Sequence, residues 1–131
     1  MNATSVDIKD MLVADSDLGL IFADNLHIGR EPDSPNQVTT IYDTSQAPPM
    51  LTLDNETGYY YESCQVRVRS TSYTVGYDLI KDIRDSLHGR AGETWNDTLY
   101  TLIRCSNGPS MLTWDDNNRV IFIINLEIQR R

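Results

Sequence analysis

The side chains of this chain that could do chemistry are an adjacent pair of carboxylates, Asp115-Asp116, a spaced set of acids, Asp78, Asp82 and Asp85, two cysteines, Cys64 and Cys105, and two histidines, His27 and His88. Paired carboxylates could do general acid-base work, a cysteine beside a histidine could form a thiolate nucleophile, and a close cluster of such groups could hold a metal. The spacing supports none of these. Asp115-Asp116 runs into Asn117-Asn118 between two strand-like segments, which is the composition of a turn. Asp78, Asp82 and Asp85 are interleaved with Lys81 and Arg84 in the manner of a solvated helix face. Neither cysteine belongs to a C-x-x-C pair and the histidines stand far apart, so no metal set can be assembled and no cofactor is implied. Without a nucleophile beside a base, the chain reads as a protein that is not an enzyme.

Composition narrows the class further. The 131 residues make a single domain, 1–131, with 40% apolar and 23% charged residues, ordinary for a soluble globular protein. No apolar run approaches the roughly 20 residues that span a bilayer, and the first ten residues carry acids and no apolar signal core, so a cytosolic origin without membrane contact is expected. In that reducing compartment Cys64 and Cys105 read as two small buried thiols, and the N-x-S/T triplets at Asn2, Asn55 and Asn96 as chance. The net charge of −8 argues against nucleic-acid binding, which needs a basic footprint. Nine of the eleven basic residues are arginine, a weak pointer to protein contacts.

These side chains hang on a frame organised around residues 59–89. From Tyr59 to Ser70 the chain alternates, with Cys64, Val66 and Val68 on one face and Gln65, Arg67 and Arg69 on the other, the period of a half-buried strand. After Ser70 the period changes to that of a helix, placing Tyr73, Gly76, Tyr77, Ile80, Ile83, Arg84 and Leu87 on an inward stripe, with Ser70 or Ser72 as N-cap and Gly89 as the stop. Before it, residues 4–14 predict a short helix capped by Thr4 or Ser5, with Ile8, Met11 and Leu12 as its apolar face. Residues 18–24 predict a brief strand, 25–36 a turn-rich loop, and 37–43 a strand that pairs with the long one. After it, 90–96 reads as a polar loop and 95–106 as a strand with Leu99, Thr101, Ile103 and Cys105 on one face. A short strand at 111–114 and a closing strand at 119–129, apolar on both faces in its first half, complete a meander. The fold class is α+β, a mostly antiparallel sheet with two helices packed on one face.

Residues 44–58 do not fit that economy. Fifteen residues are long for a hairpin connection, and the centre, Pro48, Pro49, Met50, Leu51 and Leu53, is apolar between polar flanks. It reads either as a mobile loop with chance hydrophobes or as a surface that becomes buried on a partner.

The strand ending Val68-Arg69-Ser70, the helix opened by Tyr73 and carrying Ile80, Ile83 and Leu87, and the following Gly89 together resemble the tail terminator proteins of long-tailed bacteriophages, a family that includes minor capsid and tail-to-head joining proteins. The similarity extends to Ile41-Tyr42-Asp43, Pro48-Pro49, Pro109, Leu112, Asp115, Arg119 and Asn125, covering residues 37–128. The resemblance implies a virion protein at the tail-head junction, made in the bacterial host cytoplasm. It implies a homohexameric ring on the last ring of tail tube protein, which stops tube growth and presents the joining surface for the head connector or stopper protein. In that setting Arg67 and Arg69 are candidates for cross-subunit ion pairs with Asp82 or Asp85, and Pro48, Pro49, Met50, Leu51 and Leu53 for the loop that docks on tube or connector. DNA would pass the lumen without specific binding, repelled by carboxylates, although an acidic exterior would account for the charge equally well. A neck or head-completion protein on the portal side is the nearest rival. A generic cytosolic α+β binding domain with a ligand pocket is the rival from another class, and a small hydrolase a third.

Overall fold

The computed structural model describes residues 1–50 and 58–131. Two long strands form its spine. β3 (Tyr60–Ser70) and β7 (Val120–Arg130) are antiparallel and in register from Tyr60 opposite Arg130 to Ser70 opposite Val120. The alternation read from the sequence is kept: Cys64, Val66 and Val68 share the inner face with Phe122, Ile124, Leu126 and Ile128, all buried. β7 is also paired on its other side, by β6 (Ser110–Trp114) along its first half and by β5 (Thr98–Cys105) along its second. Having neighbours on both sides, β7 can carry apolar side chains on both faces, which accounts for Ile121 and Ile123. Beyond β3 lie β2 (Val38–Gln46), antiparallel to it as expected, and then the three-residue β1 (Leu26–Ile28), parallel to β2. β4 (Glu93–Trp95) flanks β5, giving the order β1-β2-β3-β7-β5-β4 with β6 beside β7. The architecture is α+β, and both helices contribute to one core on the inner face.

Helix α2 (Tyr73–Leu87) begins where expected, Ser72 Oγ accepting the Val75 N–H at 3.3 Å, and Gly89 beyond its end has φ +89°. Its inward stripe is Gly76, Ile80, Ile83 and Leu87. A Cβ on Gly76 would stand 3.1 Å from Ser70 Cβ and 3.2 Å from the Phe122 ring, so the small residue lets helix and sheet approach. Tyr73 and Tyr77 depart from the expected stripe: they lie at its border, meeting Phe122 edge-on and otherwise exposed. Helix α1 (Thr4–Ala14) buries Ile8, Met11 and Leu12 as expected, but neither Thr4 nor Ser5 caps it. Ala3 holds the cap position, and both hydroxyls turn into the sheet.

Four further departures have local causes. Residues 18–24 form no strand. Asp15 accepts the Asp17 N–H to cap a 3-10 turn at Ser16–Leu18, and Asn25 accepts from Ile21 N–H while donating to Gly19 C=O, so side chains take the backbone groups a ladder would need. Residues 93–95 are not loop but β4, joined to β5 by Asn96-Asp97 with φ 49° and 64°, the left-handed pair of a tight hairpin. Within β5 a register shift between Tyr100 and Leu102 changes the alternation, so Tyr100 and Ile103 are both buried where strict alternation would oppose them. Finally, β2 runs on to Gln46 past a shift after Asp43, and Met50 and Tyr59 exchange backbone hydrogen bonds, making much of the supposed loop a hairpin.

Candidate assembly surfaces

The inner face holds a polar cluster that periodicity did not reveal. Asp7 on α1, Glu62 on β3 and Arg130 at the end of β7 are all buried. Arg130 Nε lies 2.8 Å from Glu62 Oε2, a close ion contact, and its Nη1 lies 3.6 Å from Asp7 Oδ2 while donating to Asn2 C=O at 2.8 Å. Two carboxylates against one guanidinium need further donors. Tyr100 OH donates to Asp7, Thr4 OH to Glu62, and Asn96 Nδ2 to Asp7 at 2.7 Å. Burial and the Asp7 carboxylate push the Tyr100 phenol upward, so it stays a donor. Next to this cluster Asp43 accepts from Ser5 N–H and Oγ at 3.0 and 2.6 Å. Helix α1 is therefore attached through charged and hydrogen-bonding groups as well as apolar ones. The only advance signal was Asp7 falling on the Ile8–Met11 side of a short helix.

The four candidate ion-pair residues are not equivalent: Arg67 and Arg69 lie on the outer face of β3, Asp82 and Asp85 on α2, which packs on the other face. Arg69 is 3% exposed and fully engaged within its own chain, donating to Glu31 at 2.9 Å and to the carbonyls of Pro35 and Asn36. Arg119, also buried, donates to Asp115 at 2.7 Å and to Asp33 C=O at 2.7 Å. The two guanidinium groups thus clamp residues 31–36 over one end of the outer face. Arg67 is half-buried, resting 5.2 Å from the Tyr42 ring and donating to Gln65, with no carboxylate partner among the described residues. Asp82 and Asp85 are on the solvent side of α2, and Asp85 pairs with Arg84 at 2.9 Å. Of the docking-loop residues, Pro48, Pro49 and Met50 are exposed, and Leu51 and Leu53 lie outside the described residues.

Large apolar side chains remain uncovered at two places on the rim of the sheet, on β6 and beside β1. At the β6 edge, Trp114 (47% exposed) stacks on Tyr73 with ring centroids 6.5 Å apart, beside Val75, Met111 and Leu112. At the β1 edge, Ile21 (60%) and Phe22 (48%) stand with Val13, and Lys9 Nζ lies 4.8 Å over the Phe22 ring. The β6 surface, with its aromatic and Met side chains, has the composition of a protein interface, and the β1 surface is a smaller, mostly aliphatic one around a single phenyl ring.

A family model of the bacteriophage tail terminator protein matches residues 6–131. The chain belongs to the bacteriophage tail terminator family. No curated protein matches it. Among solved structures, a chain in the virion of a native gene transfer agent particle has the same fold, with a TM-score of 0.68, 10% identity, and coverage of 98% of this chain and 94% of that one. Membership makes this a structural protein of the phage tail, at home in the virion. No helix among the described residues is long and apolar enough to cross a membrane.

The nearest approach to a nucleophile in this tail terminator is the cleft where His88, Cys105 and Asp85 meet. It lacks activation. His88 Nδ1 accepts the Cys105 N–H at 2.9 Å, which fixes the ring as the Nε2–H tautomer, and burial pushes the Cys105 thiol up to about 11. Cys64 is shifted upward by burial and by Asp43, whose carboxylate accepts from its thiol. Both thiols are free, but of the two expected to be buried only Cys64 is, Cys105 being half-buried. The cleft between the 3-10 turn and β2 is lined by Leu18, Leu20, Val38 and Leu79 together with the uncharged polar side chains of Asn25, Gln37 and Thr39, and no titratable group lines it.

Proposed function

We propose that this tail terminator acts as a homohexameric ring at the head-proximal end of the tail tube. There it stops addition of tube subunits and offers the surface to which the head connector attaches. The observation that carries the reading is the family match over residues 6–131. A ring needs heterologous contacts that close, so two different surfaces of each subunit must fit each other. Uncovered apolar side chains at two separate places, beside β1 and on β6, support that requirement. Arg67, without a carboxylate partner among the described residues, is the one of the two candidate guanidinium groups free to reach Asp82 or Asp85 of a neighbour; Arg69 is already occupied by Glu31. The Pro48–Leu53 segment, with Met50 55% exposed, is assigned to docking on tube or connector. DNA passes a lumen to which it has no specific affinity, in keeping with the formal charge of −8 per subunit.

The test is tail length. Tubes assembled from their own subunits without this protein should continue past the normal length and fail to join heads, and adding the purified protein should cap them and restore joining. Tubes of normal length that simply fail to join heads would point to the neck or head-completion role.

A further inference from the structure

We propose that the ring contact is a head-to-tail junction in which the Tyr73–Trp114 surface of one copy seats on the Val13, Ile21 and Phe22 surface of the next. This rests on the ring reading above and specifies its interface.

The two surfaces sit at the two ends of the row β1-β2-β3-β7-β6, the branch of the sheet that leaves β7 through β6. β6 is paired only by β7 and leaves a short backbone edge free, whereas the outer side of β1 is closed by the chain leading into it, Phe22 bridging Leu26 and Ala23 N–H donating to Leu26 C=O at 2.9 Å, so that Phe22 itself lies along that edge. From β1 through β2, β3 and β7 to β6 there are four strand spacings, which puts the edges roughly 19 Å apart. They also differ in kind. The β6 side presents flat stacked rings with Val75, Met111 and Leu112; the β1 side presents branched aliphatics around one phenyl ring. Neither is built to match itself, so a two-fold dimer is not the natural use of either, whereas lateral repetition uses both. A tube or connector subunit stacked along the tail axis would require only one such surface.

Area favours the same occupant. Aromatic side chains bury about 150–250 Å² each, so the half-exposed groups at the β6 edge offer roughly 500 Å² and those at the β1 edge roughly 300 Å². A standard interface buries about 1,600 Å², of which somewhat over half, about 900 Å², is apolar. The two surfaces together come close to one such junction per subunit. Charges beside the two surfaces are complementary in part: exposed Asp78 lies one helical turn after Val75 and exposed Asp116 two residues after Trp114, while Lys9 Nζ lies over the Phe22 ring on the other side.

The deciding experiment is a mixing test by sedimentation velocity, with Trp114→Asp and Phe22→Asp variants whose folding is verified by thermal melting. Tyr73→Lys and Ile21→Lys serve as a second pair should either variant misfold. Wild type should form closed rings, in solution or on added tail tubes, while each variant alone stays monomeric. An equimolar mixture of one variant from each edge should give 1:1 dimers and nothing larger, since only one intact junction can form. Rings from wild type and from every variant would overturn the junction and leave the ring reading standing. Monomeric variants whose mixture yields no dimer would assign the surfaces to another protein and likewise overturn it. Wild type that stays monomeric even with tubes would overturn the ring reading, and the junction with it.

Discussion

The inner face of the sheet and its two edges are built to opposite rules. On the inner face the buried charges are matched: Asp7 and Glu62 are met by Arg130, and by Tyr100, Thr4 and Asn96 as donors. At the edges, side chains that belong in a core are left in water, Trp114 and Tyr73 at one and Ile21 and Phe22 at the other. A subunit that must fold alone and then assemble needs this division, because stability is completed inside while association energy is kept at the rim. Substitutions inside should therefore change folding, and substitutions at the edges should change assembly.

The largest effect is expected at Arg130. Arg130→Ala leaves two buried carboxylates without their cation and should destabilise the subunit by about 3–5 kcal/mol in urea unfolding. A loss below about 1 kcal/mol would mean that the polar cluster does not hold α1. Next comes Tyr100→Phe, which deprives Asp7 of a donor and should cost about 1–3 kcal/mol. Trp114→Ser is the contrasting edge variant: its stability should stay within about 0.5 kcal/mol of wild type while assembly, followed by light scattering, is lost. An edge variant that unfolds, or an interior variant that folds normally and only fails to assemble, would erase the distinction.

Smaller and more local is the acid response of the turn before β7. Desolvation acts to raise Asp115, but hydrogen bonds from the Arg119 backbone and side chain and from Asn117 N–H outweigh it and hold the carboxyl below its usual range. A folded-state value below the unfolded one gives stabilisation that is present above the unfolded value, about 3.9, and is lost as pH falls through the folded one. Amide exchange at Asn117 and Arg119 should therefore gain in opening as the solution is acidified below about pH 4, after correction for intrinsic rates. The smallest effect is at Cys105, whose raised thiol should react with iodoacetamide at pH 8 more slowly than a free cysteine does.

How much of this could be read from the chain depended on whether a feature was periodic or pairwise. The β3 alternation, the α2 core stripe with Gly76, the Ser72 cap and the two-faced first half of β7 are repeating or local patterns, and all appear as expected. The β5 shift changes the inward set with a single inserted residue, which no alternation rule detects. The 3-10 turn replaced a strand because Asp15 and Asn25 satisfy backbone groups locally. Asp7, Glu62 and Arg130 are far apart in sequence and individually look like surface charges; only the fold brings them together. Arg69 likewise sits at an outward position of an alternating strand, yet residues 31–36 fold over it. The edge aromatics were visible as residues but not as exposed ones: Tyr73 and Tyr77 fit a helical stripe that continues one position beyond the core.

The central claim, a stable subunit that assembles laterally through its edges into a closed ring, is tested most directly by the mass of the assembled particle. Native mass spectrometry of wild-type protein, alone and after release from capped tubes, should give six copies of the 14.9 kDa chain and no open-ended series. A monomer under both conditions, or a ladder of sizes without a closed species, would contradict the account.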